Sequence, residues 1–146
     1  MLSEDLKTLL ATNFSFYLKS HMFHWNVEGP DFVELHRFFG KIYDDAFDAT
    51  DHIAEYIRVL DDYTPGSLSR FQELTQIDDQ VKIPRAQLMV QELAADNQIM
   101  ITLLNKCFDS AAQEQQEGIA NFIAERLDVH SKWAWMLRSI SKESRA

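Results

Sequence analysis

A chain of 146 residues that is 46% hydrophobic and 12% aromatic has the material for one buried core and lacks the composition of a disordered chain. Its net charge of −9 at pH 7 sets the bulk surface against nucleic-acid phosphates and in favour of cations. No apolar run approaches the ~18 residues that suggest a membrane span, no basic-apolar leader opens the sequence, and the single cysteine, Cys107, excludes an internal disulfide, so a protein of a reducing, cytoplasmic compartment is expected.

With only 4 Gly and 3 Pro there is little turn material, so the elements must be few and long. Breaks fall at Gly29-Pro30, at Pro65-Gly66, at Pro84 and, last, near Gly118. The first helix is expected from about Ser3 to Val27, with Ser3 as N-cap and Glu4 and Asp5 in the first turn. Leu6, Leu10, Asn13, Tyr17, Ser20, His24 and Val27 share one face, and Phe14, Leu18, His21 and Trp25 form a second stripe beside it. An apolar arc this wide implies an assembly contact as well as a core.

The second helix is expected from about Phe32 to Leu60, opened by Asp31 and Glu34 as a variant capping box. Its heptad-like run Leu35, Phe39, Ile42, Ala46, Ala49, Ile53, Ile57, Leu60 is the strongest periodic signal in the chain. Residues 64–83 are too long for a turn, and Ser67 to Leu74 within them reads as a short helix. A third long helix starts near Pro84, placed at its first turn, and runs to about Ala112. The fourth covers about Glu117 to Ile140. No strand-period segment or internal repeat competes. The pattern predicts an all-α, ferritin-like four-helix bundle over residues 1–146, one domain, with a short extra helix in the connection that makes helices two and three parallel.

Four residues stand out as chemistry: His24, His36, Asp51 and Glu55. Asp51 and Glu55 are four apart, so both carboxylates point the same way. His24 ends helix one and His36 opens helix two, and the Gly29-Pro30 turn can bring the imidazoles together. Mixed imidazole and carboxylate donors suit Fe(II), Mn or Zn better than Mg or Ca. His36 and Asp51 lie on one helix, separated by about 22 Å at 1.5 Å per residue, against metal–ligand bonds of about 2 Å. If these residues bind one metal, one chain supplies a His half-site and a carboxylate half-site that cannot meet. Two chains around a two-fold axis can pair each half with its complement. A plainer account exists for each residue. A His on an apolar face is more often a packed core residue, and Asp44, Asp48, Asp51 and Glu55 form a stripe that fits a solvated helix face.

The segment Phe23-His24-Trp25-Asn26-Val27-Glu28-Gly29-Pro30-Asp31-Phe32, followed by Leu35-His36, resembles the signature of the Dps family of mini-ferritins, as does Asp51-His52-Ile53-Ala54-Glu55. The end of the chain, His130-Ser131-Lys132 with Trp135-Met136-Leu137-Arg138, is similar to the family's last helix. The resemblance implies a hollow shell, a homo-oligomeric dodecamer built from two-fold dimers. It implies oxidation of Fe(II) with hydrogen peroxide or dioxygen at dimer-interface sites, storage of ferric mineral, and protection against oxidative damage. By position, His24 and His36 would be iron ligands from one subunit and Asp51 and Glu55 from its partner, with Glu55 bridging. Trp25 would lie beside the site and take up an oxidising equivalent; its plainer role is a packed interface aromatic.

The chain departs from the family pattern at three places. Four residues after the second His, where the family carries an acid that helps hold a second iron, stands Gly40; after Ala54-Glu55, where the family has Arg, stands Tyr56; near the start of the fourth helix Asn121 replaces a family Asp. Glu114 and Glu117 nearby are candidates to line an acidic iron-entry pore. The family's other named activity, DNA binding, often depends on a Lys-rich tail. Here no such tail precedes Ser3, the C-terminal stretch offers only Arg138, Lys142 and Arg145 mixed with Glu143, and twelve copies would carry about −108 charges. Little or no DNA binding is expected.

Three other readings compete. Ordinary ferritins and bacterioferritins place Glu-x-x-His motifs within each bundle, and none of the five His (21, 24, 36, 52, 130) has a Glu three residues before it. A structural or DNA-associated shell with weakened oxidation is left room by Gly40 and Tyr56. A zinc- or manganese-preferring relative could draw further ligands from His21 and His52.

Overall fold

The computed structural model describes residues 1–142, and Glu143 and Arg145 of the mixed-charge C-terminal stretch lie outside the described residues. Five helices follow one another: α1 (Leu2–Asn26), α2 (Phe32–Val59), α3 (Leu68–Leu74), α4 (Ala86–Gln113) and α5 (Glu117–Ser141). The described residues contain no strand.

Side-chain contacts fix the directions. Asn13 on α1 donates to the Ala46 carbonyl and the Thr50 hydroxyl of α2, so α1 and α2 run antiparallel across the Gly29 turn. At one end of α1, Ser110 of α4 donates to Asp5 at 2.6 Å; near the other end, Lys19 pairs with Asp96 of α4 at 2.8 Å. Helix α4 is therefore also antiparallel to α1, and parallel to α2. Two successive long helices that run parallel need a crossover along the bundle's length, and residues 60–85 supply it. The crossover is anchored midway by α3. Phe71 packs on Phe14 of α1 with ring centroids 5.1 Å apart, Thr75 and Ser15 share a hydrogen bond of 2.7 Å, and Ile77 is buried.

The core is where the periodicity puts it. Leu35, Phe39, Ile42, Ala46, Ala49, Ile53 and Ile57 of α2 are all buried. They meet Leu6, Leu10, Phe16 and Phe23 of α1 and Leu93, Met100 and Leu104 of α4. Each fully buried Leu, Ile or Phe side chain contributes about 1.5–3 kcal/mol. Along the second stripe of α1, Leu18 and Trp25 stay exposed, while Phe14 and His21 are half-buried.

The helix ends differ from expectation at three places. Ser3 is not the N-cap of α1. The cap position is Met1 and makes no side-chain bond; instead the Leu2 N–H, an orphan of the first turn, donates to the Glu114 carboxylate at 2.7 Å across the bundle. Ser3 lies inside the helix and its hydroxyl donates to Asp62. Asp31 occupies the N-cap position of α2 without a capping bond, because its backbone (φ −99, ψ 22) is not the extended conformation that aims a cap side chain at the first turn. Pro84 lies two residues before the first residue of α4, since Arg85 is still extended and takes the N-cap position. Ser67 does cap α3, accepting from the Arg70 N–H.

A buried polar knot ties α2, α4 and α5. Arg126 grips Asp45 with two parallel hydrogen bonds, of 3.0 and 2.6 Å. The same guanidinium reaches His130 Nε2 at 3.3 Å, and His130 Nδ1 donates to Asn97 Oδ1 at 2.7 Å. His130 is fully buried, and burial, with the Arg126 charge, pushes its imidazole down to about 3, the opposite pull of the Asp45 carboxylate being the smallest of the three. The folded protein therefore keeps this ring neutral while an unfolded chain takes up a proton as pH falls through 6.5. Stability carried by His130 is full above pH 6.5 and is lost progressively below it. The melting temperature should fall between pH 7 and 5, and a His130→Gln variant, less stable at pH 7, should show a flatter slope. Equal slopes for the two proteins over that interval would remove His130 as the cause.

Candidate metal centre

The turn between α1 and α2 is built around Gly29, whose φ of 115° is a conformation that side chains resist. Its carbonyl accepts from the Phe32 N–H at 3.1 Å and closes the turn. The reversal brings the last turn of α1 against the second turn of α2, and there His24 and His36 meet. Their imidazoles stack with centroids 3.8 Å apart and planes 17° from parallel.

Two crossed hydrogen bonds hold the pair. His24 Nδ1 lies 2.6 Å from the His36 carbonyl, and His36 Nδ1 lies 2.7 Å from the His24 carbonyl. A carbonyl oxygen only accepts, so both Nδ1 atoms carry the proton. In the neutral rings the lone pair is then on Nε2, the atom left to bind a metal. The His24 carbonyl belongs to the last turn of α1, where carbonyls lack helical partners. His36 therefore caps that helix while it is itself oriented.

Aromatic side chains surround the pair. His21 lies flat on Tyr43, with centroids 3.7 Å apart and planes at 5°, and its Nδ1 is 3.2 Å from the Tyr17 hydroxyl. Tyr43 in turn stands 5.1 Å from the His24 ring. Burial, and then the charge of nearby His24, keep the His21 imidazole below its usual range. Trp25 packs at 4.1 Å from the His21 ring yet is 59% exposed. The enclosing role of Tyr43 is not evident from the sequence, although Tyr17, His21 and Trp25 at successive fourth positions signal one helix face.

Asp51 and Glu55 do not join the imidazoles. Both are exposed on α2, as are Asp44 and Asp48 of the same stripe. Fifteen residues of unbroken helix separate His36 from Asp51, about 22 Å of rise. Among the described residues no three His, Cys, Asp or Glu side chains of one chain converge as a metal cage. Tyr56, which stands where an arginine was expected, packs on Phe122 of α5 at 5.2 Å. His52 lies against the same ring at 5.6 Å, away from the imidazole pair. Glu114 is engaged by the start of α1, and the exposed Glu117 opens α5 beside exposed Asn121.

Comparison with known proteins places this chain in a family. The ferritin-like domain family matches residues 3–146. An uncharacterised low temperature-induced protein of Nostoc sp. is 33% identical over 141 residues, which cover 95% of this chain and 76% of that protein. The DNA protection during starvation protein 2 of Bacillus anthracis is 28% identical over 123 residues, 84% of each chain. Among solved structures, Dps from Staphylococcus aureus superposes with a TM-score of 0.94 at 26% identity, covering 98% of this chain and 96% of that one. Dps from Vibrio cholerae, described as a member of a broad superfamily of ferritin-like diiron-carboxylate proteins, gives 0.92 at 28% identity, covering 97% and 89%. The chain belongs to the ferritin-like domain family and, within it, to the Dps family.

Proposed function

We propose that residues 1–146 act as one ferritin-like domain that oxidises Fe(II) at sites shared between two subunits and stores the ferric product within a twelve-subunit shell, limiting oxidative damage. The observation that carries this reading is the crossed hydrogen-bonding of His24 and His36, which leaves both Nε2 atoms as donors at one end of α2. Asp51 and Glu55, exposed further along the same helix, supply the complementary donors to a partner chain. Two imidazoles and two carboxylates suit Fe(II) better than Mg or Ca, which prefer oxygen donors throughout. The exposed apolar residues Leu18 and Trp25 on α1 and Leu68 on α3 give the two-fold contact a surface to bury.

In the reaction, each Fe(II) gives up one electron, and one hydrogen peroxide takes two electrons and two protons to become two waters. The imidazoles and carboxylates hold the iron and offset its charge as it rises. Trp25, packed beside His21, would donate an electron when only one Fe(II) is present. Among the described residues no helix is long and apolar enough to cross a membrane, and a cytoplasmic shell is the proposed setting. The second reading, a structural or DNA-associated shell with weakened oxidation, draws on two departures from the family pattern, Gly40 and Tyr56.

Anaerobic loading with Fe(II) followed by peroxide tests the reading. Removal of one ligand, by His36→Ala or Glu55→Ala, should slow oxidation by at least about tenfold. Equal rates in all three proteins would end the proposal. Co-expression of His36→Ala and Asp51→Ala chains adds the two-chain test. Each mixed dimer retains one intact site, so about a quarter of the wild-type sites should return under random pairing; no recovery would place the four residues in separate roles. DNA binding is expected to be negligible, because the −9 charge recurs in every subunit. A plasmid mobility shift by the purified protein at about 150 mM salt would contradict that.

A further inference from the structure

A site that holds one Fe(II) yields one electron, while hydrogen peroxide needs two to become two waters. Gly40, standing where the family carries an acid that helps hold a second iron, points to such a shortfall in this chain. Unless the protein lends the second electron, a one-electron product of peroxide escapes.

The rings around the His pair offer a source. Tyr17, His21 and Trp25 follow one another at every fourth residue of α1 and so share one face. Trp25 lies 4.1 Å from the His21 ring, and the Tyr17 ring is 5.6 Å from it on the preceding turn. Electrons cross such near-contact distances readily. A phenol that loses an electron becomes a strong acid, so its oxidation is easy only where a base stands within hydrogen-bond reach. His21 Nδ1 lies 3.2 Å from the Tyr17 hydroxyl. Tyr43 is nearer to the ligands, 5.1 Å from the His24 ring, but among the described residues its hydroxyl has no such side-chain partner. Phe14 and Phe47 flank the Tyr17 ring at 5.7 and 5.2 Å and screen it from reductants in solution.

We propose that Tyr17 is an electron store for the iron site, with His21 as the acceptor of its proton and Trp25 as the relay. The inference rests on the proposed oxidation of Fe(II) at His24 and His36. Fe(II) gives the first electron to peroxide. Trp25 gives the second and is refilled by Tyr17, whose phenolic proton passes to His21 Nδ1. Peroxide takes the two electrons and two solvent protons to become two waters. The next Fe(II) returns an electron to the Tyr17 radical, and His21 returns the proton. The sum over two Fe(II) is two ferric ions and two waters for one peroxide and two protons.

Electron paramagnetic resonance tests the store in the assembled protein. Fe(II) is loaded anaerobically at less than one ion per site, mixed with excess peroxide and frozen, so that no second Fe(II) quenches the radical. The wild-type protein should give an organic radical signal that narrows when its tyrosines are ring-deuterated. The signal should be lost in Tyr17→Phe and kept in Tyr43→Phe. In His21→Phe, which keeps a ring but removes the base, the radical should remain on tryptophan and narrow only with deuterated tryptophan. A wild-type signal indifferent to tyrosine deuteration, a tyrosine signal that survives Tyr17→Phe, or one unchanged in His21→Phe overturns the proposal. Iron oxidation without any radical signal overturns this inference alone, whereas a wild-type protein that fails to oxidise Fe(II) overturns the iron-site reading and this inference with it.

Discussion

The pair of crossed hydrogen bonds between His24 and His36 is the interaction on which the site depends. It joins the end of α1 to the start of α2, caps an open helix terminus and leaves Nε2 as the ring nitrogen with a lone pair to offer. Two otherwise odd sequence features serve it. Gly29 makes the reversal that brings the rings into register. Tyr43 and His21, stacked on each other, wall the pair on a further side. The same rigid helix that carries His36 then holds Asp51 and Glu55 far from it, and this straightness makes a second chain necessary to any shared centre.

The bundle positions that arrangement with interactions of unequal kind. Leucine, isoleucine and phenylalanine along the four long helices supply most of the favourable free energy without fixing direction. Direction comes from buried polar contacts: Asn13 on α2, Lys19 on Asp96, and the knot of Arg126, Asp45, His130 and Asn97. Each is a group that is costly to bury unpaired, so each penalises slipped packings. The long crossover adds few apolar contacts and relies on Phe71, Thr75 and Ile77 to hold it to the bundle.

Much of this was legible in the residues. The heptad-like run of α2 marked its buried face, Ser67 marked α3, and the long link required parallel helices. The helix ends were harder to read, because several depend on distant partners or on residues that carry no strong signal. Glu114 satisfies the start of α1 from far along the chain, which local spacing cannot show. Helices α2 and α4 both end with left-handed residues that are not glycine, Asp61 at φ 61 and Gln115 at φ 57, with the following N–H groups bonded back to the last turn. The stop of α4 is therefore at Gln115, while Gly118, the apparent break, lies inside the first turn of α5. At the site, pattern and spacing identified the His pair. They did not reveal its stacked, crossed geometry, which depends on the close approach of two backbones.

The central claim is that two half-sites, at opposite ends of one helix, complete each other across a two-fold axis. Diffraction from crystals loaded anaerobically with Fe(II), recorded at the iron absorption edge, tests it directly. The account predicts an anomalous peak bounded by His24 and His36 of one chain and by Asp51 and Glu55 of its neighbour. A peak bound entirely within one chain, or at a position away from the His24–His36 pair, would contradict it.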